Sequence, residues 1–263
     1  MNFVECGDKY GTPVVFIHGV AFGSWMWREH TQRLSKYRCI LPILPGHGPE
    51  SDDIDLSMDE QVEAMAALIN KACGGRKKVY IVGHSFGAQL ALHLACKHPE
   101  LVEGVLAMSA LMRSVPFAYR YLMKPFSPML PTAFASTFVR RHAARAFEVT
   151  DPVMRHMFVS DLGRLGSSTF RSYTVTNQEC RVPEKLGACS VPIVCVSGEN
   201  EAPQMRASLT ELCAANTETL SGYVLSGKNH FYPWTDASLT SELIEAWLSG
   251  QSIEISGSVS LAA

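Results

Sequence analysis

The chain has 263 residues, 47% of them hydrophobic, which is enough to bury a large core in one domain or in one domain with an insertion. Its formal net charge of −2 gives no overall excess of positive charge for binding nucleic acid or an anionic membrane. No apolar run approaches the ~18 residues that a membrane span needs, and no basic segment followed by an apolar stretch opens the chain. We therefore expect a cytoplasmic protein without a membrane span.

Eight cysteines are distributed along the chain. Cys39, Cys96, Cys195 and Cys213 fall inside apolar strand or helix patterns, as buried thiols do. No C-x-x-C pair and no Cys/His cluster has the spacing of a zinc site. We therefore expect neither disulfides nor a bound metal.

Short apolar runs and helix-forming runs alternate through the first 110 residues, with short connections between them. In chain order they predict an edge strand over 2–6, a buried strand over 14–17, a helix over 25–35 capped by Ser24, a strand over 38–41, a helix opened by the capping box Ser57/Glu60, a strand ending at Gly83, a helix that Pro99 stops, and a strand over 104–108. This alternation predicts an open, mostly parallel sheet with helices on both faces. Catalytic groups then belong at the carboxyl ends of its strands.

The alternation stops between about Leu111 and Leu186, where helical fragments rich in aromatic residues and Met are broken by prolines at 116, 125, 128, 131 and 152. We interpret 111–186 as an inserted helical cap on a core domain formed by 1–110 and 187–263. Most of its aromatic and Met side chains are expected to pack against the core and a minority to line a pocket. Arg140, Arg141 and Arg145 are expected to form a solvated face.

The sheet resumes after the predicted cap. A strand over 191–196, a helix over about 203–215, a strand over 219–225 and an amphipathic helix over about 238–248 complete the predicted core. The small, polar tail after Gly250 is expected to be frayed.

A Gly-x-Ser-x-Gly pentapeptide, Gly83 to Gly87, joins the strand that ends at Gly83 to the helix that follows. Alone it is a weak signal that a glycine-rich turn also produces, but the strand before it and the helix after it are the context that a nucleophilic serine requires. Such a sharp reversal puts Ser85 in a sparsely populated backbone region and exposes its hydroxyl. The Phe86 backbone N–H, at the helix start, then faces any oxyanion formed beside Ser85.

The loop after the strand over 14–17 should lie beside Ser85 if the two strands are parallel neighbours. Its Val20 backbone N–H is then a second candidate donor to an oxyanion. His18, in the same loop, is expected to order the loop rather than to catalyse.

A serine hydroxyl needs a base within hydrogen-bond reach, and the base needs a group that holds its tautomer. His230 alone among the nine histidines combines a loop after a late strand with a position after a candidate acid. The other histidines considered fall on or near a helix, in the predicted cap, or in a turn: His93, His98, His142, His156 and His47. We therefore predict His230 as the base.

Two carboxylates, Glu199 and Glu201, follow the penultimate predicted strand. We favour Glu201 as the acid, and Glu199 remains the alternative. The chain order Ser85, Glu201, His230 is the order nucleophile, acid, base of α/β-hydrolases.

Together these motifs resemble the α/β-hydrolase superfamily with a helical cap, over residues 3–249. The matching segments are His18-Gly19, Pro45-Gly46-His47-Gly48, Gly83-His84-Ser85-Phe86-Gly87, Gly198-Glu199-Asn200-Glu201 and the loop around His230. By this resemblance Glu201 stands three residues after Gly198, where the family usually has Asp. Ile43 stands two residues before Pro45, where the family also usually has Asp, so the oxyanion loop is ordered differently here.

The resemblance implies an α/β-hydrolase fold and a serine hydrolase, carboxylesterase-like, that cleaves an ester-like bond of a small, hydrophobic molecule through an acyl-enzyme at Ser85. This chemistry needs no cofactor, and the expected partner is the small-molecule substrate alone. Two alternatives stay open: C–C or thioester hydrolysis by the same residues, and a small-molecule sensor with little turnover. Epoxide and haloalkane hydrolysis are disfavoured, because those members of the superfamily have a carboxylate in the place of Ser85.

Overall fold

An eight-stranded sheet runs through the computed structural model, which describes residues 1–48, 53–74, 78–113, 132–251 and 258–261. Its strands are β1 (Asn2–Gly7), β2 (Pro13–Ile17), β3 (Arg38–Ile43), β4 (Val79–His84), β5 (Val102–Met108), β6 (Ile193–Gly198), β7 (Leu220–Leu225) and β8 (Ser258–Leu261). The spatial order is β1-β3-β2-β4-β5-β6-β7-β8.

The strands from β3 to β7 are parallel to one another, and β1 and β8 are antiparallel edge strands. The predicted mostly parallel sheet is therefore confirmed. The expectation of a frayed tail is wrong for 258–261, because this segment pairs with β7 and covers an edge that would otherwise leave backbone N–H and C=O groups unpaired.

Helices cover both faces of the sheet. They are α1 (Arg28–Arg33), α2 (Met58–Cys73), α3 (Phe86–Lys97), α4 (Thr137–Ala146), α5 (Pro152–Leu162), α6 (Ser167–Glu179), α7 (Pro203–Ala215), α8 (Tyr232–Thr235) and α9 (Ala237–Leu248), with 3-10 turns at Ser24–Trp27 and Leu186–Ala188. Successive residues of β2 point to opposite faces, so Val15 and Ile17 join one buried cluster and Val14 and Phe16 join the other. A strand buried on both faces explains the uninterrupted apolar run in the sequence.

Two predictions about helix starts have different outcomes. The Ser57 capping box is confirmed, because the Ser57 side chain accepts a hydrogen bond from the Glu60 N–H and the Glu60 side chain accepts one from the Ser57 N–H. The Ser24 cap is wrong: Ser24 lies inside a 3-10 turn that Gly23 precedes. Trp25 and Trp27, together with the Met between them, are all buried, and three consecutive side chains cannot share one face of a surface α-helix.

Between β5 and β6 the described residues contain the helices α4, α5 and α6. These helices contact the loops at the carboxyl ends of β2 and β3: the Asp161 carboxylate accepts a hydrogen bond from Trp25 Nε1 at 2.8 Å, and the Tyr173 hydroxyl donates one to the Pro45 carbonyl at 2.8 Å. The stretch 114–131, with four of the five prolines noted above, lies outside the described residues. The division into a core and a cap over 111–186 stays a prediction.

Within the described ranges, no helix is both long enough and apolar enough to cross a membrane.

Candidate active site

Ser85 lies in the turn between β4 and α3, and its backbone has φ 55° and ψ −118°. This left-handed φ is uncommon for a residue with a side chain. A Cβ at Gly83 would collide with the Gly87 backbone, and one at Gly87 would collide with the carbonyl of Ile17. Strand and helix therefore pass too closely for side chains at these positions, and the chain reverses with Ser85 at its tip.

Ser85 and His230 line the same cavity, which has a volume of about 250 Å³. Four of its lining residues are Phe or Trp, and the full lining is Gly19, Val20, Ala21, Phe22, His84, Ser85, Phe147, Phe170, Thr174, Asn177, His230 and Trp234. The cavity thus has an apolar wall with a few polar groups, as small-molecule sites do.

His230 lies in the loop between β7 and α8, and its imidazole faces a carboxylate of the loop after β6. His230 Nδ1 lies 3.4 Å from Glu201 Oε2. The backbone ties the two loops together, since the Asn200 N–H donates to the Lys228 carbonyl at 2.8 Å. The His230 side chain is 32% exposed, whereas that of Glu201 is fully buried.

Of the two candidate acids, Glu201 is the one that faces His230. Glu201 Oε1 accepts hydrogen bonds from the Gly198 N–H at 2.9 Å and from the Ser109 hydroxyl at 2.5 Å, which leaves Oε2 directed at the imidazole. Glu199 is exposed, and its carboxylate accepts hydrogen bonds from Ser226 and from the Gly227 N–H at 2.9 and 2.7 Å. The Gly227 N–H and then the Ser226 hydroxyl lower the pKa of Glu199.

The two predicted oxyanion donors, the backbone N–H groups of Val20 and Phe86, donate to no acceptor within the described part of the chain. Phe86 is the first residue of α3, so its N–H has no acceptor inside the helix. A Cβ at Gly19 would lie 3.3 Å from the Ser85 Cβ, so the loop after β2 borders Ser85 closely. The role of these two N–H groups as oxyanion donors stays a prediction.

Two buried histidines hold this loop. His18 Nε2 accepts a hydrogen bond from the Leu44 N–H at 3.2 Å, and His47 Nε2 accepts one from the Ala21 N–H at 3.1 Å. Burial lowers the pKa of His18 to about 3 and that of His47 to about 4, so both are neutral and can accept. In this chain these histidines link the loops after β2 and β3, and Ile43 supplies no carboxylate for that purpose.

A third buried histidine, His84, contacts the loop of His230. His84 Nε2 donates a hydrogen bond to the His230 carbonyl at 3.1 Å, and the two rings lie 4.7 Å apart. Burial lowers the pKa of His84 well below its usual value, and the neighbouring His230 ring adds to that effect. Sequence reasoning missed both His84 and Ser109, although each stands at the carboxyl end of a strand, at the edge where polar groups were expected to meet.

Ser85 makes no side-chain hydrogen bond to His230 or to any other described residue. Hydrogen bonds between catalytic side chains often form only when substrate binds. The role of His230 as the base for Ser85 stays a prediction.

Among the residues that the structure describes, no three His, Cys, Asp or Glu side chains cluster closely enough to hold a metal ion. Five of the eight cysteines are buried, namely Cys39, Cys180, Cys189, Cys195 and Cys213, whereas Cys96, which was expected to be buried, is half-buried.

Segments of this chain are similar to curated enzymes. Lipase LipV of Mycobacterium tuberculosis is 34% identical over 105 residues, which is 38% of this chain and 40% of the lipase. A haloalkane dehalogenase of Mesorhizobium japonicum is 33% identical over 110 residues, which is 41% of this chain and 35% of the dehalogenase. The chain thus spans well under half the length of these two relatives.

Solved structures are similar over nearly the whole chain. A carboxylesterase of the thaumarchaeon Nitrososphaera gargenis has a TM-score of 0.75 at 19% identity, covering 94% of this chain and 93% of its own. A thermophilic esterase of Thermogutta terrifontis has a TM-score of 0.77 at 18% identity, with 95% and 93% covered. A meta-cleavage product hydrolase of Pseudomonas fluorescens has a TM-score of 0.73 at 19% identity, with 95% and 94% covered. At these identities the likeness shows the fold alone.

The sequence model of the alpha/beta hydrolase family matches residues 14–242, which include Ser85, Glu201 and His230. This match covers most of the chain, and the sheet order and the turn at Ser85 agree with it. The chain belongs to the alpha/beta hydrolase family.

Proposed function

We propose that the protein is a serine hydrolase, carboxylesterase-like, that cleaves an ester-like bond of a small, mostly apolar substrate through an acyl-enzyme at Ser85. The proposal rests on one observation: a serine, a histidine and a carboxylate lie next to one another at a single cavity. Ser85 and His230 line it, and the Glu201 carboxylate lies 3.4 Å from His230 Nδ1 on the buried side. Nucleophile, base and acid in this arrangement are what an alcohol needs to attack a carbonyl at neutral pH.

In the first half of the reaction, His230 Nε2 takes the Ser85 proton while Ser85 Oγ forms a bond to the carbonyl carbon. The carbonyl oxygen becomes an oxyanion and accepts hydrogen bonds from the Val20 and Phe86 N–H groups. Removing one such donor costs about 2.7–4 kcal/mol of activation free energy in a well-studied serine protease. The imidazolium then protonates the leaving alcohol, and an acyl-enzyme remains on Ser85.

In the second half, water gives a proton to His230 as its oxygen attacks the acyl carbonyl. The tetrahedral intermediate collapses, Ser85 Oγ leaves with the proton from the imidazolium, and the carboxylic acid product is released. Glu201 keeps the proton of His230 on Nδ1 and stabilises the imidazolium in both halves. The resulting cycle consumes one water per ester.

The aromatic wall of the cavity favours an apolar substrate of modest size. Phe22 and Trp234 pack with their ring centroids 4.6 Å apart on one side of it. Phe147 and Phe170, which come from the segment between β5 and β6, line it as well. We therefore propose that this segment acts as the cap and sets the acyl and alcohol preference.

The test is steady-state hydrolysis of p-nitrophenyl esters of rising acyl length by the wild type, by Ser85→Ala and by Ser167→Ala. Ser167 is exposed and makes no side-chain hydrogen bond within the described chain, so it is the matched serine control. We expect sustained turnover of short esters, at least about a thousandfold lower kcat for Ser85→Ala, and wild-type rates for Ser167→Ala.

Two results would contradict the proposal. Wild-type rates in Ser85→Ala would exclude Ser85 as the nucleophile. A single labelling event by a fluorophosphonate with negligible ester turnover would indicate a sensor in place of an enzyme.

A further inference from the structure

A second cavity, of about 390 Å³, lies between the helices α4 and α5. Its lining is strongly basic and consists of Arg141, Arg145, Pro152, Arg155, His156 and Val159, a set that we call the arginine notch. None of these residues lines the cavity of Ser85. The notch is therefore a separate feature and does not depend on the proposed hydrolase activity.

The arginines of the notch lack compensating acids in the part of the chain that the structure describes. Within the described residues, Arg141, Arg145 and Arg155 form no ion pair. Arg155 donates a hydrogen bond to the Thr150 carbonyl at 3.2 Å, which fixes the guanidinium on the α5 side of the notch. Three guanidinium groups around one depression make it a favourable place for an anion.

The nearby acids contact other groups, and one of them, Asp161, pairs with Arg164 at 3.5 Å. Residues 137–164 contain three carboxylates against five arginines. Asp151 accepts a hydrogen bond from the Met154 N–H at the start of α5, Glu148 accepts one from Asn229, and Asp161 accepts one from Trp25 Nε1. The positive charge of the notch is therefore a local excess on a chain whose net charge is −2.

The basic surface continues past the notch. A neighbouring cavity of about 400 Å³ shares Arg141 and His156 with it and adds Arg140 and Arg164, of which Arg164 is paired with Asp161. Arg140 Nε is buried and has no hydrogen-bond partner among the described residues, whereas its terminal nitrogen donates to Thr137 Oγ1 at 2.8 Å. A cleft lined by charges of one sign focuses the electrostatic potential and concentrates counter-ions.

We propose that the arginine notch binds a phosphate group. Guanidinium groups match the oxygens of phosphate with paired, charge-assisted hydrogen bonds, and three of them converge on this depression. The phosphate can belong to a soluble phosphate ester or to an anionic lipid. Phe138, Val153 and Met157 are exposed on the same two helices, and Phe138 is 72% exposed, so the surface beside the notch could enter a lipid headgroup layer.

The experiment compares two probes and two triple variants of the full chain. The probes are inorganic pyrophosphate, followed by calorimetry, and phosphatidylcholine vesicles with or without phosphatidylglycerol, followed by co-sedimentation. The notch variant is R141Q/R145Q/R155Q. The control, R28Q/R33Q/R206Q, removes the same number of positive charges, from exposed arginines on other helices.

We expect the wild type and the control to bind one of the probes and the notch variant to bind it at least about tenfold more weakly. Binding of pyrophosphate would identify a soluble phosphate ester as the source, and binding of phosphatidylglycerol vesicles alone would identify a lipid. Absence of binding to both probes would overturn the proposal. Equal losses in the two triple variants would also overturn it, since net charge and not the notch would then be responsible. Circular dichroism and thermal melting of each variant verify that it folds. If the triple notch variant does not fold, the test is repeated with Arg145→Gln alone, since Arg145 is exposed.

Discussion

The Ser109 hydroxyl donates a hydrogen bond of 2.5 Å to Glu201 Oε1, and both side chains are buried. Ser109 follows the last residue of β5 with a left-handed φ of 57°, so its side chain leaves the strand end toward the neighbouring β6 loop. The Gly198 N–H donates to the same oxygen. Two donors from adjacent strands thus fix one carboxylate oxygen and turn the other toward His230.

Ser109→Ala removes one of these donors without touching the cavity of Ser85. A hydrogen bond to a charged group contributes about 1.5–3 kcal/mol, and part of it orients the carboxylate. We expect kcat for a short p-nitrophenyl ester to fall about tenfold with little change in KM. Steady-state kinetics at saturating and limiting ester measure both.

A double-mutant cycle distinguishes positioning from a general loss of stability. If Ser109 acts through Glu201, the substitution should have little further effect in a Glu201→Gln background. The same tenfold loss in both backgrounds would contradict a positioning role.

The two carboxylates after β6 predict different outcomes on neutralisation. Glu201→Gln should lower kcat by at least about a hundredfold, because the amide no longer stabilises the imidazolium of His230. Glu199→Gln should keep kcat within about threefold, because Glu199 bonds an exposed turn and faces away from His230. Equal and mild losses in both variants would refute the role proposed for Glu201.

The local parts of this site were predictable from sequence. A continuous apolar strand, the Gly83 to Gly87 pentapeptide and a helix-forming run are neighbours in the chain, so short-range sterics fix the Ser85 turn. The choice of Glu201 over Glu199 depended on which side chain the β6 loop buries, and the Ser109 contact that settles its orientation spans 92 residues. A lone serine at a strand end has no pattern that predicts such a partner.

Pairing at the edges of the sheet was also beyond the sequence pattern. The residue pattern over 2–6 does not specify that β1 pairs antiparallel with β3, because the direction of a strand in the sheet depends on the path of the connecting loops. The polar tail gave no strand signal, yet 258–261 pairs with β7. In both cases the backbone of a neighbouring strand, and not local propensity, decides the structure.

His84 is predicted to position the His230 loop through its hydrogen bond to the His230 carbonyl. His84→Leu removes the donor and should lower kcat about tenfold on short esters. His84→Gln retains an N–H in the same region and should recover most of the rate. Similar rates in the Leu and Gln variants at equal thermal stability would show that the hydrogen bond has no such role.

The buried histidines predict a loss of stability in mild acid. Burial lowers the folded-state pKa of His18 to about 3 and that of His47 to about 4, from 6.5. The stabilising contribution is complete above about pH 6.5, and it is lost as the pH falls toward the folded values, because the unfolded chain then binds protons that the folded chain does not. Each such histidine lowers the free energy of unfolding by about 1.4 kcal/mol per pH unit in that window.

Urea denaturation from about pH 7.5 to about pH 5 measures this slope. In His47→Gln the amide oxygen can accept from the Ala21 N–H and does not titrate. The free energy of unfolding should therefore fall less steeply with decreasing pH, by about 1.4 kcal/mol per pH unit, which corresponds to one proton fewer bound on unfolding. A slope identical to that of the wild type, or greater stability at the acid end, would contradict the assignment of His47 as a buried neutral acceptor.

The most direct measurement of the central claim is intact-mass and peptide-mapping mass spectrometry of the protein quenched in acid during turnover of a p-nitrophenyl ester. The proposed mechanism predicts a mass increase equal to one acyl group, located on Ser85, in the wild type. The adduct should be absent in Ser85→Ala and should form much more slowly in His230→Gln. Ester hydrolysis with no adduct on Ser85, and at an undiminished rate in Ser85→Ala, would contradict it.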